Sequence, residues 1–356
     1  MGCSKRDGGL PLKKLLALGS FVFLGCVVIS ATASARPARP AASSPSVRPV
    51  IVRLGTHRFG HTRIPDAVVA RAGPKDVYFP AESCCGPTSF EVGLDRSVWL
   101  LDGGNQRLLV WRAGHPDVVA RSMKLPHFCC EDFALGPAGT LYVTQAGTAD
   151  HPLNFLYQLK ATGEVLWQST LAAEGFPTML RAGPSGILYS VSPRRWVPAV
   201  TPGGRPLSVS EQRRRTVSGY QPLPGGRRLL SVRQSPHEWR FSLIDRGGRV
   251  TRAWQVVSRT RIGPILAATP DLVGGDPVVF MDVSARIGGD FKWEYLALRL
   301  GPHGTRARLS LPAPAAWGDV ITDLRVGPDG KLYQLGSSPT TGVAISRYSL
   351  GPVRLR

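Results

Sequence analysis

Two cysteine doublets carry the strongest chemical signal in the sequence. "ESCCGPTSFEVGLDRSVWLLD" begins at Glu82 and holds Cys84–Cys85; "HFCCEDFALGPAGTLYV", residues 127–143, holds Cys129–Cys130. Doublets of this kind have three states open to them. The first is a pair of vicinal disulfides, strained because adjacent trans residues have Cα atoms ~3.8 Å apart while ordinary disulfides span about 4.4–6.8 Å. The second is a cross-link between the doublets, which on the loop-entropy model stabilises by roughly 4 kcal/mol for a loop of ~45 residues. It leaves one thiol of each doublet over, since neighbours on an extended segment point opposite ways. The third is a thiolate metal site, for which C-x2–4-C is the usual spacing. Oxidised sulfur in a loop makes a stiff apolar plate. With Glu82, His127, Glu131 and Asp132 as polar neighbours, the doublets form the candidate binding site, and disulfides are expected at Cys84, Cys85, Cys129 and Cys130.

The N-terminus sets the compartment in which those thiols act. "MGCSKRDGGLPLKK" is basic, the run from Leu15 to Ala35 is uncharged and apolar, and it ends Ala33–Ser34–Ala35. A basic start, an apolar stretch and an A-x-A ending describe a secretory signal. The run is also long enough to span a bilayer if it stays uncleaved. "FLGC", ending at Cys26, offers a lipoprotein alternative in which Phe23 stands where leucine is preferred. Residues 1–35 are therefore expected to be a signal peptide or signal anchor, and the chain to work outside the cytoplasm or in the cell envelope. Residues 36–49, "RPARPAASSPSVRP", are a Pro/Ala/Ser-rich tether. Of six cysteines, four lie beyond the leader, an even number that suits disulfides in an oxidising space.

The net charge is +20, of which +17 lies beyond the leader. A basic surface suits an anionic cell-envelope polymer. The only dense basic block is Arg213 to Arg215, too short for a specific nucleic-acid patch and better read as a solvated loop. Contact with a membrane is expected only through the N-terminal segment.

Residues 50–356 show no amphipathic helical period. Short apolar runs bounded by Gly and Pro indicate strands. One phrase recurs: an apolar residue, a Gly-Pro-x-Gly turn, then an apolar–aromatic pair. It reads "LGPAGTLYV" from Leu135, "AGPSGILYS" from Ala182 and "VGPDGKLYQ" from Val326, with degenerate copies from Val92, Pro222 and Thr269. Each is a hairpin whose turn needs glycine, and a second hairpin follows most copies. Two hairpins of about 40–45 residues have the size of one propeller blade. Six units arranged radially bury their faces against one another. The third unit, "VPAVTPGGRPLS", fits the pattern least well. The expected fold is all-β: a six-bladed β-propeller over residues 50–356. The last unit runs out near Gly351, so the strand Pro49–Gly55 is expected to complete that blade, and Arg58–Pro80 carries no assignment.

Pro87 to Trp111, "PTSFEVGLDRSVWLLDGGNQRLLVW", resembles the NHL repeat, with Asp102, Asn105 and Arg107 at the matching places. NHL repeats build six-bladed propellers, in agreement with the count. In such repeats the Asp and Asn tie down a turn. Similar propellers serve as bacterial sensor domains, and related ones host lactonases, oxidoreductases and lyases. A lactonase-like site would draw on Glu131, Asp132 and Asn154; a zinc site would draw on His127, His151 and His237. Their spacing demands neither, and no G-x-S-x-G or H-E-x-x-H motif is present. No catalytic residue, resident metal or cofactor is assigned. Trp99, Trp111, Trp167 and Trp254 fall within strand patterns and read as inter-blade packing. Trp196, Trp293 and Trp317 sit near Gly/Pro-rich loops and offer a platform to a sugar ring. The expected activity is that of an exported or membrane-tethered binding module whose ligand meets the channel mouth near the doublets. The alternative is a propeller-type hydrolase or oxidoreductase acting on a small molecule.

Overall fold

The computed structural model describes residues 47–79, 86–125, 130–136, 140–147, 152–174, 179–183, 186–192, 195–215, 217–218, 220–264, 271–313 and 322–351. Residues 47–356 form one compact unit. Two strands precede the repeats: β1 (Val50–Gly55) and β2 (Ala67–Ala72). Six sheets follow in chain order and stand as the blades of a propeller.

Blade one is β3 (Pro87–Val92), β4 (Val98–Asp102), β5 (Arg107–Trp111) and β6 (Val119–Lys124). Blade two is β7 (Cys130–Leu135), β8 (Leu141–Gln145), β9 (Leu153–Leu159) and β10 (Val165–Glu174). Blade three is β11 (Leu180–Gly183), β12 (Gly186–Ser192), β13 (Arg195–Val200) and the two-residue β14 (Val217–Ser218). Blade four is β15 (Tyr220–Pro222), β16 (Arg228–Ser235), β17 (Glu238–Ile244) and β18 (Val250–Ser258). Blade five is β19 (Arg261–Pro264), β20 (Asp271–Val273), β21 (Asp276–Ile287), β22 (Asp290–Gly301) and β23 (Gly304–Pro312). Blade six is β24 (Leu324–Val326), β25 (Leu332–Ser338) and β26 (Gly342–Tyr348). Neighbouring strands within each blade run antiparallel, and the first strands of the blades stand nearest the axis.

The ring is closed by an N-terminal strand, but not by Pro49–Gly55. Instead β2 pairs antiparallel with β26 and completes blade six, using part of the stretch that carried no assignment. Small side chains decide this. Ala70 and Ala72 are buried in the seam between blades six and one. The turn into β26 brings Gly342 (φ +82°) so close to the Ala72 carbonyl that a Cβ there would lie 2.1 Å from the oxygen. β1 joins blade four as a fifth strand, parallel to β18. It buries Val52 and Leu54 against Trp254 and Val256 and leaves its other face in solvent.

Residues 56–66 strap β1 to β2 across blade five. The His57 amide donates to Thr260 Oγ1 at 2.8 Å, the Gly60 amide donates to Glu294 Oε1 at 2.6 Å, and the Arg63 amide donates to the Ser310 carbonyl at 2.7 Å. His57 Nε2 lies 2.8 Å from Glu294 Oε2, which also accepts from Ser310 Oγ at 2.9 Å. The Glu294 carboxyl is held below its ordinary pKa: burial pulls it up, but the Gly60, His57 and Ser310 donors outweigh that.

Apolar side chains fill the seams between blades. Trp111 and Trp254 are fully buried, and Trp99 and Trp167 pack against such clusters, as their strand positions imply. Their indole nitrogens also stitch blades together. Trp254 Nε1–H donates to the Gly301 carbonyl of blade five at 2.7 Å, and Trp111 Nε1–H to the Arg71 carbonyl of β2 at 3.2 Å. Asp102 is fully buried; it accepts from Asn105 Nδ2 at 2.8 Å, Arg107 Nε at 2.9 Å and the Tyr78 amide at 3.1 Å. That is the structural role expected of the Asp–Asn–Arg set.

The one short α-helix among the described residues, α1 (Val209–Arg214), interrupts blade three. Its signal was in the sequence: Ser208 accepts from the Glu211 amide, and the Glu211 carboxylate accepts from the Ser208 amide, a complete capping box. Arg213 and Arg214 close this helix and are exposed, so the basic block is not a loop.

Candidate ligand-binding site

The residues expected at the channel mouth are only partly described. Glu82, Cys84, Cys85, His127 and Cys129 lie outside the described residues, as do His151 and Trp317. Cys130 and Glu131 begin β7, the innermost strand of blade two. Asp132 follows them and is fully buried, where it ties three blades together. Its carboxylate accepts from Ser89 Oγ of blade one, from the Phe133 amide at 2.8 Å and from the Leu180 amide of blade three at 2.6 Å. Asn154 Oδ1 accepts from the Gly147 amide at 3.0 Å, and His237 is exposed.

Around Asp132 the innermost strands converge on a charged plug. Glu91 of β3 pairs with Arg325 of β24 at 2.7 Å, and Arg181 of β11 pairs with Asp271 of β20 at 3.0 Å. The second pair reaches from blade three to blade five, past the inner strand of blade four. Burial pushes the Glu91 carboxyl up to about 7, against the pull of Arg325 and Arg181, while the negative charges of Asp132 and Asp271 add to the rise. Burial raises Asp132 as well, opposed by Arg325 and by the Ser89 and backbone donors. Burial lowers Arg181, and Asp271 holds its charge in place. Asp323, just before β24, is buried beside Tyr295 and is pushed up to about 7 by desolvation; its Oδ1 has no hydrogen-bond partner among the described residues.

Sequence reading found Asp132 but missed the rest of the plug, although the signal was available. Glu91, Arg181 and Arg325 each stand two residues before the glycine of the repeated turn (Gly93, Gly183, Gly327), and Ala134 holds that place in blade two. Asp132 and Asp323 stand four before it. A period-2 offset from the turn keeps these side chains at matching levels on successive inner strands.

Arg181 also forms one wall of a cleft of about 660 Å³ between blades three and four. Arg215, Arg227, Arg228 and Arg246 complete a set of five arginines around it, and among the described residues no carboxylate lines it. Leu188, Trp196, Pro198, Pro222 and Leu223 supply apolar surface. Trp196, on β13, is only 4% exposed, yet its indole N–H has no hydrogen-bond partner among the described residues. A buried N–H without an acceptor costs ~1–3 kcal/mol; this nitrogen is sealed from solvent, so a ligand acceptor reaches it only when the side chains over it shift. Gly183 faces open space: a Cβ built on it meets no atom within 4 Å. Trp293, the other described tryptophan of the proposed sugar platform, lies far along β22 and is not part of this cleft.

The geometry defines a class, the six-bladed β-propeller, here with buried charged pairs on its inner strands and a cleft between blades three and four. No protein-family model matches the chain, and no curated protein matches its sequence. Several solved structures are similar to the chain at low identity, each with a TM-score below 0.5. A Kuenenia stuttgartiensis hydrazine synthase chain is 15% identical over 76% of this chain and 76% of its own, with a TM-score of 0.42. Aldose sugar dehydrogenase from Streptomyces coelicolor in its PQQ-bound form is 13% identical over 80% and 96%, at 0.39. Virginiamycin B lyase from Staphylococcus aureus is 10% identical over 75% and 82%, at 0.36. These likenesses concern architecture alone.

Proposed function

We propose that the chain is a binding module of the cell envelope or extracellular space that holds a small organic anion with a flat apolar body between blades three and four. The observation that carries this reading is the five-arginine cleft beside the unpartnered indole N–H of Trp196. Arginine recognises carboxylate or phosphate with a rigid fork of donors, while Trp196 and the prolines offer a surface for a ring. Arginine does not exchange protons near neutral pH, and general acid–base chemistry needs a group that does. The lining therefore suits binding better than turnover. Export rests on the leader, and the likeness of blade one to the NHL repeat agrees with a sensor-like role. None of the described lining residues comes from the segments of the cysteine doublets, so this site is separate from the channel mouth expected from the sequence.

Titration calorimetry with phenyl phosphate, against neutral phenol as control, tests the proposal. Binding of the phosphate and not the phenol is expected, with about a tenfold loss in Arg228→Gln. Equal response to both ligands, or no response to either, sinks it. An enzymatic reading draws on one feature: Glu91, pushed up to about 7, is electrostatically coupled to Arg181 at the cleft. Turnover that disappears in Glu91→Gln while binding persists would favour that reading.

A further inference from the structure

Blade five carries a ribbon that no other strand among the described residues covers. β21 and β22 pair continuously from Val278↔Arg299 out to Ile287↔Asp290. The strands beside them stop earlier: β19 reaches only Ser284, opposite Arg261, and β23 reaches only Glu294, opposite Pro312. Beyond those points the hairpin stands alone. A free two-stranded ribbon is marginal in water, and this one ends in a Gly288–Gly289 turn with φ of +60° and +92°, the primed geometry that matches strand twist. Its tip shows solvent three large apolar side chains: Phe291 (64% exposed), Ile287 (50%) and Trp293 (45%). Trp293 is braced edge-on against Tyr295, with ring centroids 5.6 Å apart, so it is held outward.

The surroundings of the tip are basic. Arg286 and Lys292 lie on the ribbon itself, and Asp290 at the turn offsets Lys292, with the ammonium 3.6 Å from its carboxylate, so the basic charge of the tip rests chiefly on the arginines. Arg261 sits at its base opposite Ser284, with Arg259 two residues before it. Exposed Arg58 lies on the strap, which is fastened at Glu294, the neighbour of Trp293. Arg58, Arg259 and Arg286 make no ion pair among the described residues. The chain as a whole carries +20.

We propose that this hairpin is a second, independent interaction site, which inserts Ile287, Phe291 and Trp293 into the interfacial layer of an anionic lipid bilayer while the arginine collar meets the headgroups. Aromatic side chains settle at the bilayer–water boundary, and a surface that pairs apolar anchors with Arg/Lys binds anionic lipid through both at once. A purely apolar protein groove would match the tip but not the basic residues around it.

The ring is closed within residues 47–356, which form one compact unit, so a chain starting at Val47 carries the whole propeller without the apolar leader. That chain is sedimented with vesicles of phosphatidylcholine alone and of phosphatidylcholine mixed with phosphatidylglycerol. Binding to the anionic vesicles is expected, with a blue-shifted tryptophan emission absent in Trp293→Phe. Phe291→Ser with Trp293→Ser lowers partitioning about tenfold or more. Arg286→Gln with Lys292→Gln weakens binding to anionic vesicles and leaves the neutral baseline unchanged. Circular dichroism verifies that these exposed changes leave the fold intact. Failure of the unaltered chain to sediment with anionic vesicles, or equal sedimentation of the serine variant, overturns the proposal. Hairpin-dependent dimerisation without vesicle binding also overturns it and assigns the surface to a second copy.

Discussion

The seam between blades four and five and the seam between blades three and four come from the same repeat and end in opposite states. The first is filled by Trp239, Phe241, Trp254 and Val256 from blade four against Val279, Met281, Val283 and Leu298 from blade five, with β1 adding Val52 and Leu54. Its tryptophan at position 254 finds a carbonyl across the seam. On the face of blade three toward the second, the described residues give a buried apolar cluster of only Met179 and Trp196, with Leu188 packed against them. Its tryptophan finds no acceptor among the described residues, and arginines stand around the opening. Two local changes account for the difference. Blade three ends in a two-residue outer strand after the α1 insertion, and blade four turns Arg228 toward that seam while Leu229 packs into the sealed one. On the proposed reading, the binding site arises from an underfilled seam.

The contrast can be broken most sharply in the sealed seam. Trp254→Ala removes a fully buried side chain and its cross-seam hydrogen bond, and should cost about 3–5 kcal/mol in urea unfolding. Trp196→Ala should cost distinctly less while abolishing ligand binding. Equal costs would mean that the two seams pack alike.

The axis, which serves every seam, gives the next largest effect. Glu91 is raised from 4.5 to about 7 in the folded chain, so between those values the folded state holds a proton that the unfolded chain has released. Stability should fall as pH rises from about 4.5 to about 7, by up to about 3 kcal/mol for this group, and then level off. Asp323, raised to about 7 in the same way, adds a parallel fall that begins nearer 4. Glu91→Gln should flatten its share of the slope. A slope that Glu91→Gln leaves unchanged would remove Glu91 from the account.

Ring closure comes next. Gly342→Ala forces a side chain onto the Ala72 carbonyl at a positive φ and should destabilise by about 2 kcal/mol; a neutral result would mean that β2 is not held where it lies. The smallest expected change in stability is the most informative about the open seam. Gly183→Leu projects into empty space, so it should leave stability within about 1 kcal/mol and still block phenyl phosphate. Retained affinity would place the ligand elsewhere.

The architecture could be read early because a six-fold phrase with glycine at fixed places repeats a physical demand, the tight turn between innermost and second strand. The closing strand was misassigned for an equally physical reason. "VIVRLG" alternates like a strand with one buried face, and it is one, but that face serves blade four. "AVVARA" offers only small side chains, which look weak in isolation and are what the crowded junction with Gly342 accepts. The charged pairs on the inner strands lie outside the repeated phrase, which begins at Val92, Ala182 and Val326, one residue after Glu91, Arg181 and Arg325. The cleft could not be read directly, since a void arises from side chains that are absent. The poor fit of the third unit to its siblings was its only trace.

The placement of β1 also bears on how the molecule withstands mechanical load. A pull transmitted through the residues before Val50 reaches β1 first, which lies along β18 in parallel and is anchored by Val52 and Leu54. It must next break the fastenings of His57, Gly60 and Arg63 on blade five before tension arrives at β2, the clasp of the ring. Force on that end is thus taken up by outer attachments before it reaches the clasp of the ring.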